Sequence, residues 1–419
     1  MGMSPRHSSL FIVLASFVMS AAACSSSSDS TTATKPADRP GATYAPPSRD
    51  DKGSAAEPLA AGPAAAPGGS AGNGAPQVVF VGRFDTTDPA GPKAAWPGTR
   101  ILTRFEGTKV SATLSEFAEP WMEGAPSYWE VSIDKGEWLP IAMIPDNQPH
   151  VFELAKDLPP GSHLVELYKR SETQTGITQF LAFDFHGGKA LPPPQRQQRR
   201  IEVMGDSQST GFGIEKIDAP DTECPGADHS GLYQNFRKAW GSLLGTMFDA
   251  EVHGIVYSGK GVTQNVWPTD TDPLIRYYPR ANPNPAMQNS SPPVFDLTSW
   301  IPDVIVLAQG AIDFNSGVDY GAFRTAYRDF VVNTLRARGP NTHIVMAAIG
   351  KGGREAIPQI GQEIIAERTA VGDAKMHVFV ATPYTWQEML GCNGHGTPAF
   401  HQRIANELAA QIRTTVGWP

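Results

Sequence analysis

The hydrophobic pattern changes near Arg200, and this change restricts the fold more than any other feature of the sequence. Beyond it, apolar runs with the length of buried strands occur at residues 201–204, 252–256, 304–307, 344–348 and 378–381. Segments of helical periodicity separate several of them, and the clearest, residues 320–338, has one apolar face and stops at Gly339-Pro340. Strands that alternate with helices predict an α/β domain over residues 196–419, with a five-stranded parallel sheet between two layers of helices.

Residues 77–195 show a different pattern, with short β-rich runs and no helical segment. These runs lie at residues 78–81, 101–105, 109–114, 129–133, 151–154, 163–168 and 180–185. Turn sequences such as Asp134-Lys135-Gly136 separate them. Many short strands at close spacing predict an all-β sandwich domain, which Pro192-Pro193-Pro194 joins to the α/β domain.

Residues 1–24 have the pattern of an export signal. Arg6 and His7 precede an apolar run at residues 10–23, which is shorter than the roughly 20 residues needed to span a bilayer. Three alanines lead into Cys24, and this ending resembles the lipobox of bacterial lipoproteins, in which the cysteine becomes the lipidated first residue. The alternative is an ordinary secretory signal cleaved near Ala23. We expect an exported protein, anchored by lipid to the cell envelope at the outer membrane or cell surface.

Residues 25–76 are rich in Ser, Thr, Ala, Pro and Gly and have no recurring large apolar residue. Such a segment cannot bury enough apolar surface to fold, so we expect a disordered tether. It accounts for part of the high totals of 41 glycines and 37 prolines. A flexible chain of this length can hold a folded domain clear of a membrane.

The composition excludes several classes of protein. Hydrophobic residues make up 40% of the 419, which excludes a wholly disordered chain. The net charge of −8 argues against nucleic-acid binding, which needs a basic surface. The sequence has no Cys-x-x-Cys pair, no acidic cluster with histidines at helical spacing and no glycine-rich phosphate-binding pattern. Neither a metal site nor a nucleotide site is therefore predicted.

The first predicted strand of the α/β domain leads directly into Gly205-Asp206-Ser207. Ligands bind at the carboxyl ends of the strands in an open parallel sheet, so Ser207 stands where a nucleophile would be placed. A serine hydroxyl needs a base to attack at neutral pH. The three-residue motif alone occurs often by chance, and the alternative is a serine that caps a helix N-terminus.

Four blocks in a fixed order along the chain resemble those of the SGNH (GDSL-type) hydrolases. They are Gly205-Asp206-Ser207, Ser258-Gly259-Lys260-Gly261, Gly310-Ala311-Ile312-Asp313 and Asn393-Gly394-His395. Each block follows a predicted strand or precedes a predicted helix. This joint placement is far more specific than any single block, and it implies an SGNH-type three-layer α/β/α domain.

The β-rich region narrows the resemblance further. It contains Gly82-Arg83-Phe84-Asp85, Trp96-Pro97-Gly98 and the segments 104–108 and 165–170. A jelly-roll-like sandwich followed by an SGNH domain is similar to carbohydrate esterase family 2, over roughly residues 78–419. The resemblance implies removal of acetyl groups from xylan- or glucomannan-type saccharides by a protein that needs no metal or organic cofactor. We also expect a monomer.

The resemblance assigns roles to four residues. Ser207 would be the nucleophile, and His395 would be the general base and then the acid that protonates the sugar oxygen. The backbone N–H groups of Ser207 and Gly259 would bind the oxyanion, with Gly261 as the alternative to Gly259.

Further positions near these blocks have weaker assignments. The aromatic side chains of Trp267 and Trp386 could line a sugar cleft, and the alternative for each is packing in the core. Asp206 and Asp313 are expected to organise their loops rather than take part in the chemistry.

Several positions depart from the SGNH pattern. Ile312 stands where asparagine is usual and cannot provide the third oxyanion donor, a loss that typically costs about 10²–10³ in rate. Asn393 stands where a triad has aspartate, although some family members work as Ser–His dyads with a carbonyl that orients the histidine. Gly394 replaces an aromatic residue found in many relatives, and Gly396 replaces the usual proline.

These departures leave two interpretations open. The chain is either a slow acetyl esterase that uses a Ser–His dyad, or a catalytically lapsed relative that binds glycans as a surface lipoprotein. Replacement of the missing donor by Gln309 or Asn315 is also open. A purely structural or adhesive surface lipoprotein would explain neither the retained serine nor the retained histidine.

Two cysteines remain once Cys24 is assigned to the lipid anchor. Cys224 lies in the loop after the proposed nucleophile, and Cys392 lies three residues before His395. Thiols tend to pair in the oxidising compartments that exported proteins enter. If Ser207 and His395 meet, a disulfide between Cys224 and Cys392 would join their loops; the alternative is two free buried cysteines.

Overall fold

The computed structural model describes residues 61–63, 77–118, 126–219, 222–225, 231–283 and 292–419. The predicted export signal, Cys24 and most of the predicted tether lie outside these residues. All the described residues belong to one compact unit, Ala55–Pro419. Within the described part of the chain, no helix combines the length and the apolar character needed to cross a membrane.

The first domain consists of two antiparallel sheets. One sheet has, in spatial order, β1 (Ala61–Pro63), β8 (Pro149–Ala155), β5 (Val110–Ala118), β10 (Gly176–Asp184) and β3 (Lys93–Ala94). The other has β11 (Lys189–Ala190), β4 (Arg100–Gly107), β9 (Gly161–Lys169), β6 (Tyr128–Ile133) and β7 (Leu139–Ala142), and β2 (Val78–Val81) also pairs with β4. The short β1 lies in the range predicted as tether.

Alternating apolar residues explain why these two sheets pack together. Phe105 and Val165 of one sheet share a buried core with Leu114 and Phe152 of the other. Side chains alternate between the faces of a strand, so each strand gives every second residue to this shared core. The predicted all-β sandwich is thereby confirmed.

The second domain is built on a five-stranded parallel sheet, as predicted. Its strands are β12 (Arg199–Gly205), β13 (Ala250–Val256), β14 (Val304–Ala308), β15 (His343–Ala348) and β16 (Met376–Val380), in the spatial order β13-β12-β14-β15-β16. Its α-helices are α1 (Ser207–Thr210), α2 (Trp240–Phe248), α3 (Leu274–Tyr277), α4 (Ala311–Asn315), α5 (Tyr320–Asp329), α6 (Ala356–Thr369) and α7 (Pro398–Val416). Separate apolar clusters cover the two faces of the sheet, so both faces are buried.

The helix predicted at residues 320–338 is confirmed, with one difference. Helix α5 continues without a break into a π-helix, Phe330–Arg336. Phe323, Tyr327 and Leu335 face the core along this composite helix, as the apolar periodicity predicted.

The order of the parallel strands determines where a ligand can bind. Successive strands are added on opposite sides of β12, with β13 on one side and β14 to β16 on the other, and Gly205 at the end of β12 pairs with both Val256 and Ala308. The carboxyl ends of β13, β12 and β14 are therefore level with one another. Such a reversal of strand order leaves a crevice outside the strand ends, and the first three SGNH-like blocks all follow these ends.

A buried ion-pair network joins the two domains. Glu202 on β12 accepts hydrogen bonds from Arg83 of the β-sandwich (3.1 Å) and from Arg338 (2.8 Å) and Tyr278 (2.8 Å) of its own domain. Burial alone would raise the pKa of the Glu202 carboxyl, but Arg338 and Arg83 keep it below its ordinary value. Removal of one partner would leave a buried charge without compensation, so the network favours one arrangement of the two domains.

Candidate active site

Ser207 is the first residue of α1, directly after β12, which lies between β13 and β14 in the sheet. The side chain of Asp206 caps this helix by accepting a hydrogen bond from the Gln208 N–H at 3.0 Å. A side chain at Gly205 would collide with Ser209, so the tight approach of strand to helix requires glycine there. The alternative reading of Ser207 as a helix cap is wrong, because Asp206 has that role and the partly exposed Ser207 follows it.

Asp206 organises the turn, as predicted. Its carboxyl is fully enclosed, and burial raises its pKa to about 6, with a further contribution from the charge of Asp313. The N-cap hydrogen bond from Gln208 acts in the opposite direction, because it favours the ionised form.

His395 lies in a closed loop that immediately precedes α7. Its backbone N–H donates to the Gly391 carbonyl at 3.0 Å, and the Gly391 N–H donates to the His395 carbonyl at 2.9 Å. The ring of Phe212 packs against the imidazole with 4.6 Å between ring centroids. Phe212 is only five residues beyond Ser207, so the histidine loop contacts the segment that follows the proposed nucleophile.

The surroundings of His395 make its imidazole neutral over most of the pH range. Burial lowers the pKa to about 4, while the backbone carbonyls of Cys392 and Asn393 partly oppose this by stabilising the protonated ring. Neither carbonyl accepts a well-formed hydrogen bond from the imidazole, and the Nδ1 atom of His395 has no hydrogen-bond partner among the described residues. No aspartate takes the place of Asn393, whose side-chain oxygen instead accepts a hydrogen bond from the Cys224 N–H at 3.1 Å.

A disulfide joins Cys224 to Cys392, which confirms the predicted pairing and excludes two free thiols. The two residues are 168 positions apart in sequence, and their Cα atoms are 4.9 Å apart. Backbone hydrogen bonds run beside it, from Cys392 to Lys216 (2.9 Å) and from Asn393 to Thr222 (2.7 Å). The loop that carries His395 is therefore attached to the segment after Ser207 by covalent and polar contacts.

Gly259 follows Ser258 at the end of β13 in a left-handed conformation, with φ of 75°. A Cβ atom there would lie 2.6 Å from the ring of Trp267, so both the backbone angle and the space require glycine. Within the described part of the chain, neither the Gly259 N–H nor the Ser207 N–H donates a hydrogen bond. The Gly261 N–H donates to Asn265 at 3.1 Å, so Gly259 is the better of the two predicted oxyanion donors.

Asp313 was predicted to organise its own loop, but its carboxylate instead holds the loop of the second block at residues 262–264. Its buried carboxylate accepts hydrogen bonds from the backbone N–H groups of Val262 (2.8 Å), Thr263 (2.7 Å) and Gln264 (3.0 Å), and from the Thr263 hydroxyl (2.8 Å). Four donors on one carboxylate make a rigid link between the second and third blocks.

The third block has no oxyanion donor at its usual position, since Ile312 is a partly buried apolar residue of α4. Asn315 is exposed at the end of the same helix. Gln309 is 2% exposed, and neither polar atom of its amide has a partner among the described residues. It lines a cavity of about 10 Å³ together with Asp206 and Ser209, a volume near that of one water site.

The two tryptophans proposed for a sugar cleft are both exposed. Trp267 is 44% exposed and lies against Gly259, and Trp386 is 63% exposed at the start of a 3-10 turn, Trp386–Met389, that precedes the histidine loop. The alternative of packing in the core is therefore wrong for both residues.

The remaining departures near His395 have structural explanations. A Cβ at Gly396 would collide with the ring of Phe400 and lie 3.1 Å from His401, so proline has no room there. Gly394 has φ of 67°, in the left-handed region. His401 is a buried neutral residue whose Nδ1 accepts the Trp240 N–H at 3.3 Å, consistent with a structural role.

Sequence reasoning missed one residue that touches the site. Glu172, in the loop between β9 and β10 of the sandwich, accepts two hydrogen bonds from Ser258, the neighbour of Gly259. No local signal in the sequence marks this residue, because the contact spans 86 positions and two domains. Among the described residues, no group of three or more His, Cys, Asp or Glu side chains could hold a metal ion.

The β-sandwich and the full two-domain chain both resemble known proteins. Residues 80–194 match the family model Carbohydrate esterase 2 N-terminal. Over 347 residues the chain is 28% identical to the cellulase/esterase CelE of Acetivibrio thermocellus, covering 82% of this chain and 40% of that protein. The chain thus spans about two fifths of the length of this curated relative.

Two further relatives are each matched over nearly their whole length. Over 355 residues the chain is 26% identical to an acetylxylan esterase / glucomannan deacetylase of Cellvibrio japonicus, covering 82% of this chain and 90% of that protein. A solved family two carbohydrate esterase from Clostridium thermocellum, in complex with cellohexaose, matches with a TM-score of 0.72 and 27% identity, covering 82% of this chain and 100% of that one. The similarity therefore extends over both domains.

Proposed function

This chain belongs to carbohydrate esterase family 2, and we propose that it hydrolyses O-acetyl esters of saccharides with Ser207 as nucleophile and His395 as general base. One observation carries the proposal: a partly exposed serine at the end of β12, with a histidine loop attached beside it and with the Ser207 and Gly259 N–H groups both without an acceptor among the described residues. This is the set of groups that acyl transfer needs.

In the proposed reaction, the Ser207 Oγ attacks the acetyl carbonyl carbon while His395 removes the hydroxyl proton. Collapse of the tetrahedral intermediate breaks the ester C–O bond, and the same histidine returns the proton to the sugar oxygen. A water molecule then attacks the acetyl-enzyme by the same steps in reverse order, which releases acetate and regenerates the serine.

The low pKa of His395 sets the protonation state at the start of this cycle. With a pKa of about 4, the imidazole is neutral above pH 5 and can accept the serine proton. The backbone carbonyls near the ring stabilise the imidazolium that forms, in place of the aspartate of a triad. A carbonyl dipole stabilises a cation less than a carboxylate does, so this favours a slow enzyme.

The oxyanion site also favours a slow enzyme. Two backbone N–H groups, from Ser207 and Gly259, have no acceptor among the described residues and are the proposed donors to the developing negative charge, whereas Ile312 offers no third donor. A single lost donor typically costs about 10²–10³ in kcat. We therefore expect turnover well below that of a relative with the full set of donors.

The substrate class is proposed from the relatives and from the exposed tryptophans. The relative from Cellvibrio japonicus is an acetylxylan esterase / glucomannan deacetylase, and the one from Clostridium thermocellum is in complex with cellohexaose. The exposed ring of Trp267 beside Gly259 offers an apolar surface on which a sugar ring can stack next to the proposed oxyanion site. An acetylated oligo- or polysaccharide is the substrate that fits these features.

Export and lipid anchoring at Cys24 are proposed from the N-terminal sequence alone. The disulfide supports an oxidising compartment, since such bonds persist outside the reducing cytoplasm. Detergent phase partitioning of the expressed protein tests the anchor: the wild type is expected in the detergent phase and a Cys24→Ser variant in the aqueous phase. Equal partitioning of the two would refute lipidation. The expected monomer stays a prediction.

Glycan binding without hydrolysis is the second candidate, and the apolar Ile312 in the oxyanion region is the observation that favours it. Hydrolysis of 4-nitrophenyl acetate by the mature chain with Cys24→Ser separates the two functions. The esterase proposal expects turnover that Ser207→Ala and His395→Ala each abolish. If the parent is no faster than Ser207→Ala, while acetylated oligosaccharides still bind, the glycan-binding function replaces it.

A further inference from the structure

A buried carboxylate of the β-sandwich contacts the α/β domain next to the proposed oxyanion donor Gly259. The loop between β9 and β10, which contains the 3-10 turn Thr173–Thr175, extends toward the end of β13. Glu172 in this loop is fully buried, and its two carboxylate oxygens each accept a hydrogen bond of 2.8 Å from Ser258, one from the backbone N–H and one from the hydroxyl.

Other contacts hold Glu172 itself in place. The Gln174 side chain donates to its carboxylate at 2.9 Å, and the Glu172 backbone N–H donates to the side chain of Gln234 in the α/β domain at 2.8 Å. The buried Lys169 ammonium lies 3.4 Å from the Glu172 backbone carbonyl. The carboxylate is therefore a fixed support rather than a mobile side chain.

The support acts on the peptide that carries the proposed oxyanion donor. The Gly259 N–H belongs to the peptide bond between Ser258 and Gly259, so the position of Ser258 determines the direction of this N–H. Glu172 holds Ser258 on one side, and the Val266 N–H donates to the Gly259 carbonyl at 2.9 Å on the other. The ring of Trp267 closes the remaining space against the Gly259 Cα.

We infer that Glu172 is a positioning residue, supplied by the β-sandwich, which directs the Gly259 N–H toward the acyl oxyanion through its two hydrogen bonds to Ser258. This inference rests on the proposed esterase function, because it needs Gly259 to be the donor. It also gives the β-sandwich a part in catalysis, in addition to any contact with the saccharide.

The environment of Glu172 makes this link sensitive to pH. Burial raises the pKa of its carboxyl to about 7, and the hydrogen bonds from Ser258 and Gln174 together with the charge of Lys169 partly oppose the shift. On the β-sandwich side of the interface, the cation near Glu172 is Lys169. The carboxylate of Glu116 on β5 also interacts with this cation, so the two carboxylates share its charge. From the α/β domain the groups in contact, Ser258 and Gln234, are uncharged.

Protonation of Glu172 weakens its ability to accept both hydrogen bonds. We therefore expect kcat of the wild type to rise as the pH increases through about 7, a step separate from the titration of His395 near pH 4. In Glu172→Gln the neutral amide, like the protonated carboxyl, can accept from the Ser258 N–H and donate to its hydroxyl. We therefore expect kcat of this variant to stay near the wild-type value below the step, and the step near pH 7 to disappear.

The kinetic test compares Glu172→Ala, Glu172→Gln and the matched control Glu116→Gln, which changes another buried carboxyl of the same domain. We expect Glu172→Ala to lower kcat on 4-nitrophenyl acetate about 10²-fold, as misplaced catalytic groups do, with KM changed less than about threefold. Glu116→Gln should keep the step, which moves only toward lower pH because Lys169 then no longer shares its charge with Glu116. Unchanged kcat in Glu172→Ala, or an unchanged step near pH 7 in Glu172→Gln, would overturn the inference.

A second measurement does not depend on turnover. Labelling with ¹³C-carbonyl serine and ¹⁵N-glycine selects the amides of glycines that follow a serine, which are Gly231, Gly259 and Gly317. A Ser258→Ala variant identifies the Gly259 signal, since that signal alone is lost. We expect the Gly259 amide shift to titrate near pH 7 in the wild type and not in Glu172→Gln. A shift that is independent of pH in the wild type would refute the link.

The two measurements separate failure of the inference from failure of the proposed function. If the wild type is no faster than Ser207→Ala, the esterase function is lost, and the inferred catalytic role of Glu172 is lost with it, whatever the Gly259 amide does. If the wild type is active but Glu172→Ala is equally active, the esterase function stands and the positioning role is rejected.

Discussion

The two sides of the proposed oxyanion site differ in how they are built. On the β13 side, Gly259 has a free N–H and is held by Glu172 through Ser258, by Val266 and by the ring of Trp267. On the β14 side, Ile312 has no polar atom to offer. The site is thus rigid and complete on one side and chemically incomplete on the other.

This difference separates two roles that a single block can have. Asp313, next to Ile312, retains four hydrogen bonds to the loop of the second block, so the third block still holds its neighbour in place. What the third block lacks is a side chain that can donate a hydrogen bond to the oxyanion. Structural support and catalytic donation can therefore be lost independently, and the variants below test each side of the comparison.

The largest effect is expected from Asp313→Ala, which removes the carboxylate that links the third block to the loop of the second block. One buried donor and three partly buried donors lose the carboxylate that accepts from them, so we expect the free energy of unfolding to fall by about 3–5 kcal/mol, with loss of esterase activity. Urea unfolding measures the change. Asp319→Ala, which removes an exposed cap of α5, is the control and should cost only about 1 kcal/mol. Equal losses for the two variants would contradict the role of Asp313.

Removal of the disulfide should have the next largest effect. The double variant Cys224→Ser, Cys392→Ser releases a loop closed over 168 positions, and such a bond typically contributes about 2–4 kcal/mol. We also expect kcat to fall more than KM rises, because the loop that carries His395 loses its covalent attachment. Unfolding curves and steady-state kinetics on the same preparations measure both effects. An unchanged kcat would mean that the backbone hydrogen bonds alone position this loop.

Restoring a donor on the incomplete side should raise the activity. In Ile312→Asn, an amide at the usual position adds a third oxyanion donor, and we expect kcat to increase by up to about 10²-fold. Ile312→Ala is the matched control, since it removes the apolar bulk without adding a donor and should give no increase. If Ile312→Asn is no faster than Ile312→Ala, the missing donor is not what limits the rate.

The pH profile provides a test of the histidine loop. The base must be neutral, so apart from the step that Glu172 is expected to cause near pH 7, kcat/KM should fall tenfold per pH unit only below about pH 4, whereas an unperturbed histidine would cause this fall below 6.5. Measuring the profile in Glu172→Gln removes the step expected near pH 7. A single fall near pH 6.5 in that variant would contradict the partly buried, carbonyl-flanked position of His395.

The smallest effect is expected at the rim of the site. Trp267→Ala removes an exposed ring whose stacking on a sugar should contribute about 1 kcal/mol, so KM for an acetylated oligosaccharide should rise roughly fivefold. Hydrolysis of 4-nitrophenyl acetate, which has no sugar ring, separates the two roles of Trp267: loss of stacking alone leaves it unchanged, whereas displacement of Gly259 lowers its kcat. Trp386→Ala tests in the same way whether the second exposed tryptophan contributes.

The sequence predicted the fold well because its signals are local. Five continuous apolar runs correspond to the five strands of the parallel sheet, since buried parallel strands need apolar residues on both faces. The disulfide could be predicted because only Cys224 and Cys392 remained once Cys24 was assigned to the anchor. The π-helix at Phe330–Arg336 was not predicted, because it leaves the same apolar face toward the core as an α-helix.

The parts of the site that could not be predicted depend on contacts between residues far apart in the sequence, or on which of two adjacent residues has a given role. Asp206 and Ser207 are both good helix-capping residues, and only the structure shows that Asp206 is the cap. The support from Glu172 crosses from one domain to the other over 86 positions, in a loop without hydrophobic periodicity. The use of the Gly261 N–H by Asn265 likewise depends on how the loop closes.

The most direct test of the account is release of acetate from acetylated xylan by the mature chain carrying Cys24→Ser, compared with the same protein that also carries Ser207→Ala. Saccharide deacetylation through the Ser207 hydroxyl predicts that the parent releases acetate at least about 10²-fold faster than the serine variant. Equal rates of release from the two proteins would contradict the central claim that this site is an esterase.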